Sequence, residues 1–146
     1  MIAYVDSSVV LRVLLREPLV LPEWRSITVA LTSSLLRVES YRTFDRYVHN
    51  RELTEEQYAT NAAGLDELLR RARIIDVDKS LLLAASRRLP VRLATLDAIH
   101  LVTAERFRNE LGPARPFVFA THDRELAIAA RASGFEVIGA PLESGA

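Results

Sequence analysis

A chain of 146 residues, 49% of them hydrophobic, is the size of one domain and can bury a sizeable core. Its formal net charge of +0 excludes the strongly basic domain that is the simplest mark of a nucleic-acid binder. The lack of any cysteine excludes a disulfide scaffold, a thiolate metal site and a cysteine nucleophile. No apolar run approaches the ~18 residues of a transmembrane helix, and the start has neither the basic nor the apolar segment of a signal peptide, so a soluble, cytoplasmic protein without membrane contact is expected. Lys79 is the only lysine among 19 basic residues. The arginines either recognise phosphate through planar forks or reflect the codon usage of a GC-rich genome.

The stretch IAYVDSS, Ile2 to Ser8, reads as a buried first strand that stops on an acid and two hydroxyls, and VVLRVLL continues as a helix through Leu15. LVLPEW is a connector with two prolines, and Ile27 to Thr32 reads as a second strand. Ser33 or Ser34 then caps a helix whose buried stripe is read as Leu35, Val38, Tyr41, Phe44 and Val48, with Glu39, Arg42 and Arg46 on its polar flank. Thr54 to Gln57 matches a capping box for a helix to Arg71. A strand over Arg73 to Val77 and a helix over Asp78 to Leu89, stopped by Pro90, follow. Thr95 reads as the cap of a helix burying Leu96, Ile99, Val102 and Phe107, with Asp97 in its first turn. PFVFATHD repeats the opening logic: an apolar strand, a hydroxyl at Thr121, and an acid at Asp123 where a helix begins. Gly134 closes that helix before a last strand, Phe135 to Ile138. The alternation predicts a single α/β domain over residues 1–146, a three-layer sandwich around a mainly parallel sheet. The tail after Pro141 reads as a candidate for disorder.

Each acid has a structural explanation of its own. Asp6 ends a strand, Glu39 has Arg42 three residues on, Asp97 suits a helix N-terminus, and Asp123 suits an N-cap. Taken together they ask for more. A parallel sheet gathers strand ends and helix starts along one edge, so Asp6, Asp97 and Asp123 converge there and Glu39 faces the same crevice. Carboxylates crowded in a partly buried crevice resist ionisation unless protons or a cation compensate. Oxygen ligands without cysteine, and with no histidine pair at helical spacing, favour Mg²⁺ or Mn²⁺ over Zn²⁺.

Four stretches then resemble one family. YVDSS at Tyr4 to Ser8, LLRVESYR around Glu39, LATLDAIHLVTA around Asp97 and FATHDRELAIAARASGFEVI around Asp123 are similar, in order and separation, to the PIN-domain ribonucleases, in particular the VapC toxins of toxin-antitoxin pairs. The likeness spans nearly the whole chain; LDAIHL followed by THD is its specific part, whereas DSS alone is weak. The resemblance implies a PIN-like fold, with Asp6, Glu39, Asp97 and Asp123 as catalytic metal-site carboxylates and Ser8 and Thr121 as hydroxyls orienting water, metal or phosphate. It implies metal-dependent endonucleolytic cleavage of RNA under Mg²⁺ or Mn²⁺, and as partners a second copy of the chain and a small antitoxin that blocks the site.

His100, three residues after Asp97, is assigned a packed or supporting role, and His122 that of an exposed loop residue or a contact for RNA phosphate. Arg42, Arg46, Arg87 and Arg88 are read as solvated or substrate-guiding, none as catalytic. The segment from Arg51 to Ile75 resembles the family's helical hairpin, its stripe of Tyr58, Leu65, Leu68 and Leu69 serving core or partner contact. Two other aspartate-bearing α/β families fit poorly. A haloacid-dehalogenase-type phosphatase needs an acid where Ser8 stands, and a receiver-like domain needs a lysine after a late strand. The remaining alternative is a catalytically silent PIN fold that binds RNA or a protein partner.

Overall fold

The computed structural model describes residues 1–141, and the expectation for the tail after Pro141 lies outside them. Strands β1 (Ile2–Val5), β2 (Val29–Ser33), β3 (Arg73–Ile75), β4 (Phe117–Ala120) and β5 (Glu136–Ile138) form one sheet in the order β3-β2-β1-β4-β5, every pairing parallel. Helices α1 (Ser7–Leu14), α2 (Leu35–His49) and α3 (Glu55–Arg71) cover one face; α5 (Thr95–Leu111) and α6 (Arg124–Ala132) cover the other, with the short α4 (Lys79–Ala85) packed on α5. This is the expected three-layer α/β sandwich.

Burial on both sides explains the composition of the central strands. Ala3, Tyr4 and Val5 of β1 and all four residues of β4 are buried, as a strand between two helical layers requires. Alternation sends Tyr4 and Phe119 into the core with Leu101, Phe107, Phe117 and Phe135, where the aromatic rings meet at tilted and edge contacts. Ala3, Val5, Val118 and Ala120 face the other layer with Val9, Leu36, Phe44 and Leu65. Among the described residues no helix is long and apolar enough to cross a membrane.

Several elements differ from the sequence reading. A 3₁₀ turn over Pro22–Ser26 ends on Ile27, so β2 starts at Val29 rather than Ile27. Thr95 is not a cap: Ala94 holds that position without a side-chain bond, and Thr95 is the first helical residue. Asp78 caps α4, which stops at Ala85, well short of Leu89, where the Ser86 hydroxyl bonds back to the Leu82 carbonyl. The buried stripe of α2 is Leu36, Ser40 and Phe44, at four-residue spacing, and Val38 is 57% exposed. Phe44 is buried as read and Leu35 and Tyr41 pack against the core, so Val38 alone leaves the expected stripe, with Ser40 taking the inner face. Leu96 is likewise 45% exposed, beside a helix middle that is buried continuously from Ala98 to Ala104.

Candidate active site

The sheet order reverses direction between β1 and β4: the chain moves outward from β1 to β2 and β3, then returns to β4 on the other side of β1. Such a switch point leaves a crevice beyond the carboxyl ends of the strands. Asp6 follows β1 directly there, and its backbone N–H still pairs with the Ala120 carbonyl across the gap. Thr121 follows β4 in the same way, and its N–H pairs with Ile138.

Asp6 is 3% exposed and bonded at both oxygens. Ser8 donates to Oδ1 at 2.6 Å and Thr121 to Oδ2 at 2.8 Å, and Asp6 caps α1 by accepting the Val9 N–H at Oδ1, at 3.4 Å. Burial raises the Asp6 carboxyl above the ordinary carboxylate range, against the field of His100 and the bonds from Ser8 and Thr121. Ser8 and Thr121 also accept backbone N–H groups of the loop after β4, from His122 at 2.8 Å and Asp123 at 2.9 Å.

Glu39 enters from α2. Its Oε2 stands 2.7 Å from His100 Nε2, and Ser7 donates to its Oε1 at 3.2 Å. Arg42, three residues after Glu39, pairs instead with Asp45 on the outer face of α2. Asp97, in the first turn of α5, is raised to about 6 by burial and by the facing carboxylates of Asp123, Asp6 and Glu39, against the field of His100. Asp123 caps α6 through Leu126 N–H, accepted by Oδ1 at 2.8 Å. Asp97 therefore senses all three other acids, which arrive from β1, α2 and the start of α6.

His100 is 1% exposed. Burial pushes its ring down, but the bond to Glu39 and the field of Glu39, Asp6 and Asp97 outweigh that and leave it above the ordinary histidine value. Its Nδ1 stands 2.7 Å from the Tyr4 hydroxyl. His122, expected to be exposed, is half-buried, with Nδ1 2.8 Å from the Gly139 carbonyl. Sequence reasoning missed Tyr4 and Ser7. The available signal was a tyrosine in an otherwise aliphatic strand, two residues before Asp6.

Among the described residues no three Asp, Glu or His side chains converge as a ready-made cage for one ion. The donor set nevertheless fits a hard cation. Mg²⁺ is usually held by one or two carboxylates and keeps several waters, and Asp97 is held up to about 6 by burial and by neighbouring acids that the field of His100 only partly offsets.

A PIN-domain family model matches residues 3–132. Ribonuclease VapC46 of Mycobacterium tuberculosis is 33% identical over 135 residues, covering 92% of this chain and 95% of that protein. The crystal structure of Mycobacterium tuberculosis VapC20, a sarcin-ricin loop cleaving toxin, is similar with a TM-score of 0.61 at 17% identity, over 91% of this chain and 95% of that one. PAE2754 from Pyrobaculum aerophilum is similar with a TM-score of 0.62 at 16% identity, over 94% and 83%. Both structural likenesses concern the fold.

Proposed function

The chain belongs to the PIN-domain family, and from that premise we propose that it is a VapC-type endoribonuclease, the toxin of a toxin-antitoxin pair, hydrolysing RNA phosphodiester bonds with Mg²⁺ or Mn²⁺. The observation that carries the reading is the Asp97 carboxyl, raised to about 6 by burial and by three facing acids from separate elements. Structure alone gives no reason to concentrate that charge; a site for a divalent cation does.

In this reading Asp6, Glu39, Asp97 and Asp123 hold the metal. A bound divalent ion activates water and neutralises charge on the phosphate. The chain's own residues prepare that chemistry. Ser8 and Thr121 fix the buried Asp6 carboxylate in one orientation by donating to its two oxygens. Asp97, held up to about 6, would have to be ionised to serve as a ligand, so occupancy of the site would be coupled to proton release near pH 6. The α6 N-terminus beside Asp123 adds a partial positive charge suited to a phosphate. RNA is the substrate, a small antitoxin covers the crevice, a second copy completes a homodimer, and the cytoplasm is the compartment.

The deciding experiment incubates antitoxin-free protein with a mixed cellular RNA pool in Mg²⁺, Mn²⁺ or EDTA, beside Asp97→Asn. Metal-dependent fragments absent from the mutant lane are expected. Identical lanes with RNA binding retained would favour the silent binding module.

A further inference from the structure

Behind the acidic crevice runs a buried polar line that joins its wall to the core. Tyr4, in the central strand, has no exposed surface, and its hydroxyl stands 2.7 Å from Nδ1 of His100 on α5. The opposite ring nitrogen stands 2.7 Å from Glu39 Oε2, and Ser7 holds Oε1 at 3.2 Å. A phenylalanine and a leucine would fill the same space without burying two polar groups, which is favourable only when each is bonded. The line runs from the buried Tyr4 and His100 out to the Glu39 carboxylate, whose side chain is 16% exposed.

We propose that Tyr4 and His100 are positioning residues that set the direction in which Glu39 presents its carboxylate to the crevice. A free glutamate rotates about several bonds, so a ligand or base at its tip is poorly placed unless both oxygens are held. Tyr4 is itself anchored, its ring 5.1 Å from that of Phe119 and in edge contact with His100 at 5.9 Å. Orientation is thus handed from the aromatic core to Tyr4, from Tyr4 to the imidazole, and from the imidazole to Glu39. The inference rests on the reading of the crevice as a nuclease site, and two measurements on the full chain separate their fates.

The first is ¹⁵N-edited NMR without added metal. The wild type is expected to show a His100 ring N–H protected from exchange, and Tyr4→Phe, which keeps the ring and its packing, to lose that protection at least about tenfold. A ring proton unprotected in the wild type, or equally protected in Tyr4→Phe, overturns the inference whatever the protein does to RNA. The second is steady-state cleavage. Tyr4→Phe and His100→Ala are expected to lower kcat about tenfold at an unchanged KM for RNA, with His100→Gln recovering part of the loss because its amide can still donate toward Glu39. Wild-type kcat in both Tyr4→Phe and His100→Ala also overturns it. A wild type that cuts no RNA defeats the nuclease reading alone, and NMR then decides the positioning role.

Discussion

Ser8 and Thr121 hold opposite oxygens of the same carboxylate. Their hydroxyls, 3.4 Å apart, donate to Asp6 Oδ1 and Oδ2, and each hydroxyl oxygen accepts one N–H from the loop that leads into α6. The orientation of Asp6 and the path of the chain to Asp123 are therefore one arrangement. A change at either hydroxyl disturbs both.

Thr121→Val tests that arrangement. It leaves a buried carboxylate oxygen without its donor and the Asp123 N–H without its acceptor. Leaving such groups unpaired costs about 1–3 kcal/mol, which for a domain of this size lowers Tm by roughly 2–9 °C. In a double-mutant cycle with Asp6→Asn the two losses should fall short of additive; full additivity would show that the hydroxyl and carboxylate are not coupled.

Asp97→Asn should reduce RNA cleavage at least about a hundredfold, as loss of a principal charge in a metal site would. In the absence of metal it should also stabilise the protein. A carboxyl whose pKa is raised on folding ionises first in the unfolded chain, so its stabilising contribution is complete below about pH 4 and is lost as pH rises through about 6. Thermal melts with chelator should therefore coincide near pH 4 and separate in favour of the mutant above pH 6, by roughly 1 kcal/mol after solvent screening. Parallel melting curves across that range would remove the electrostatic cause.

Divalent cation should act on the same group with the opposite sign. Mg²⁺ or Mn²⁺ is expected to raise the wild-type Tm near neutral pH, more than that of Asp97→Asn, and to release protons near pH 6 in a weakly buffered titration. EDTA should abolish cleavage and added Mg²⁺ restore it. Cleavage untouched by chelator would rule out the metal chemistry while leaving the fold assignment intact.

Gly139→Ala probes the floor of the loop. A methyl group there would lie 2.6 Å from the Thr121 carbonyl oxygen, and the backbone φ of +92° is itself strained for any side chain. A loss of about 2–4 kcal/mol in denaturant unfolding is expected, with cleavage falling further than stability because Thr121 is displaced. Retention of wild-type stability would mean that the Gly139 backbone moves away from Thr121.

The alternation of strands and helices was legible because both central strands are apolar on both faces and every long helix carries a recognisable start or stop. The capping box at Thr54 and Gln57 forms as the motif predicts. Of the stripe read for α2, Phe44 is buried and Leu35 and Tyr41 pack against the core, and only Val38 departs, because Leu36 and the fully buried Ser40 take the inner face beside it. The cap of α5 was misassigned because a threonine beside an alanine outweighs it in propensity, whereas the backbone turns at the alanine. At the site, acids at strand ends could be picked out from local chemistry. The contacts of Tyr4 with His100 and of Thr121 with Asp6 join residues 96 and 115 positions apart, and no local pattern carries such pairings.

The position of β1 at the centre of the sheet has a consequence for the order of synthesis. The strand that leads into Asp6 is made before its neighbour β4, and the hydroxyl of Thr121 follows only 115 residues later. At ordinary elongation rates that is a wait on the order of ten seconds, and the pairing closes one of the longest loops in the domain. A nascent chain therefore carries all four acids except Asp123 while its central carboxylate is still unsupported. If the chain is the nuclease proposed above, its crevice stays incomplete until β4 and the start of α6 have been made, so the acids cannot act together before then.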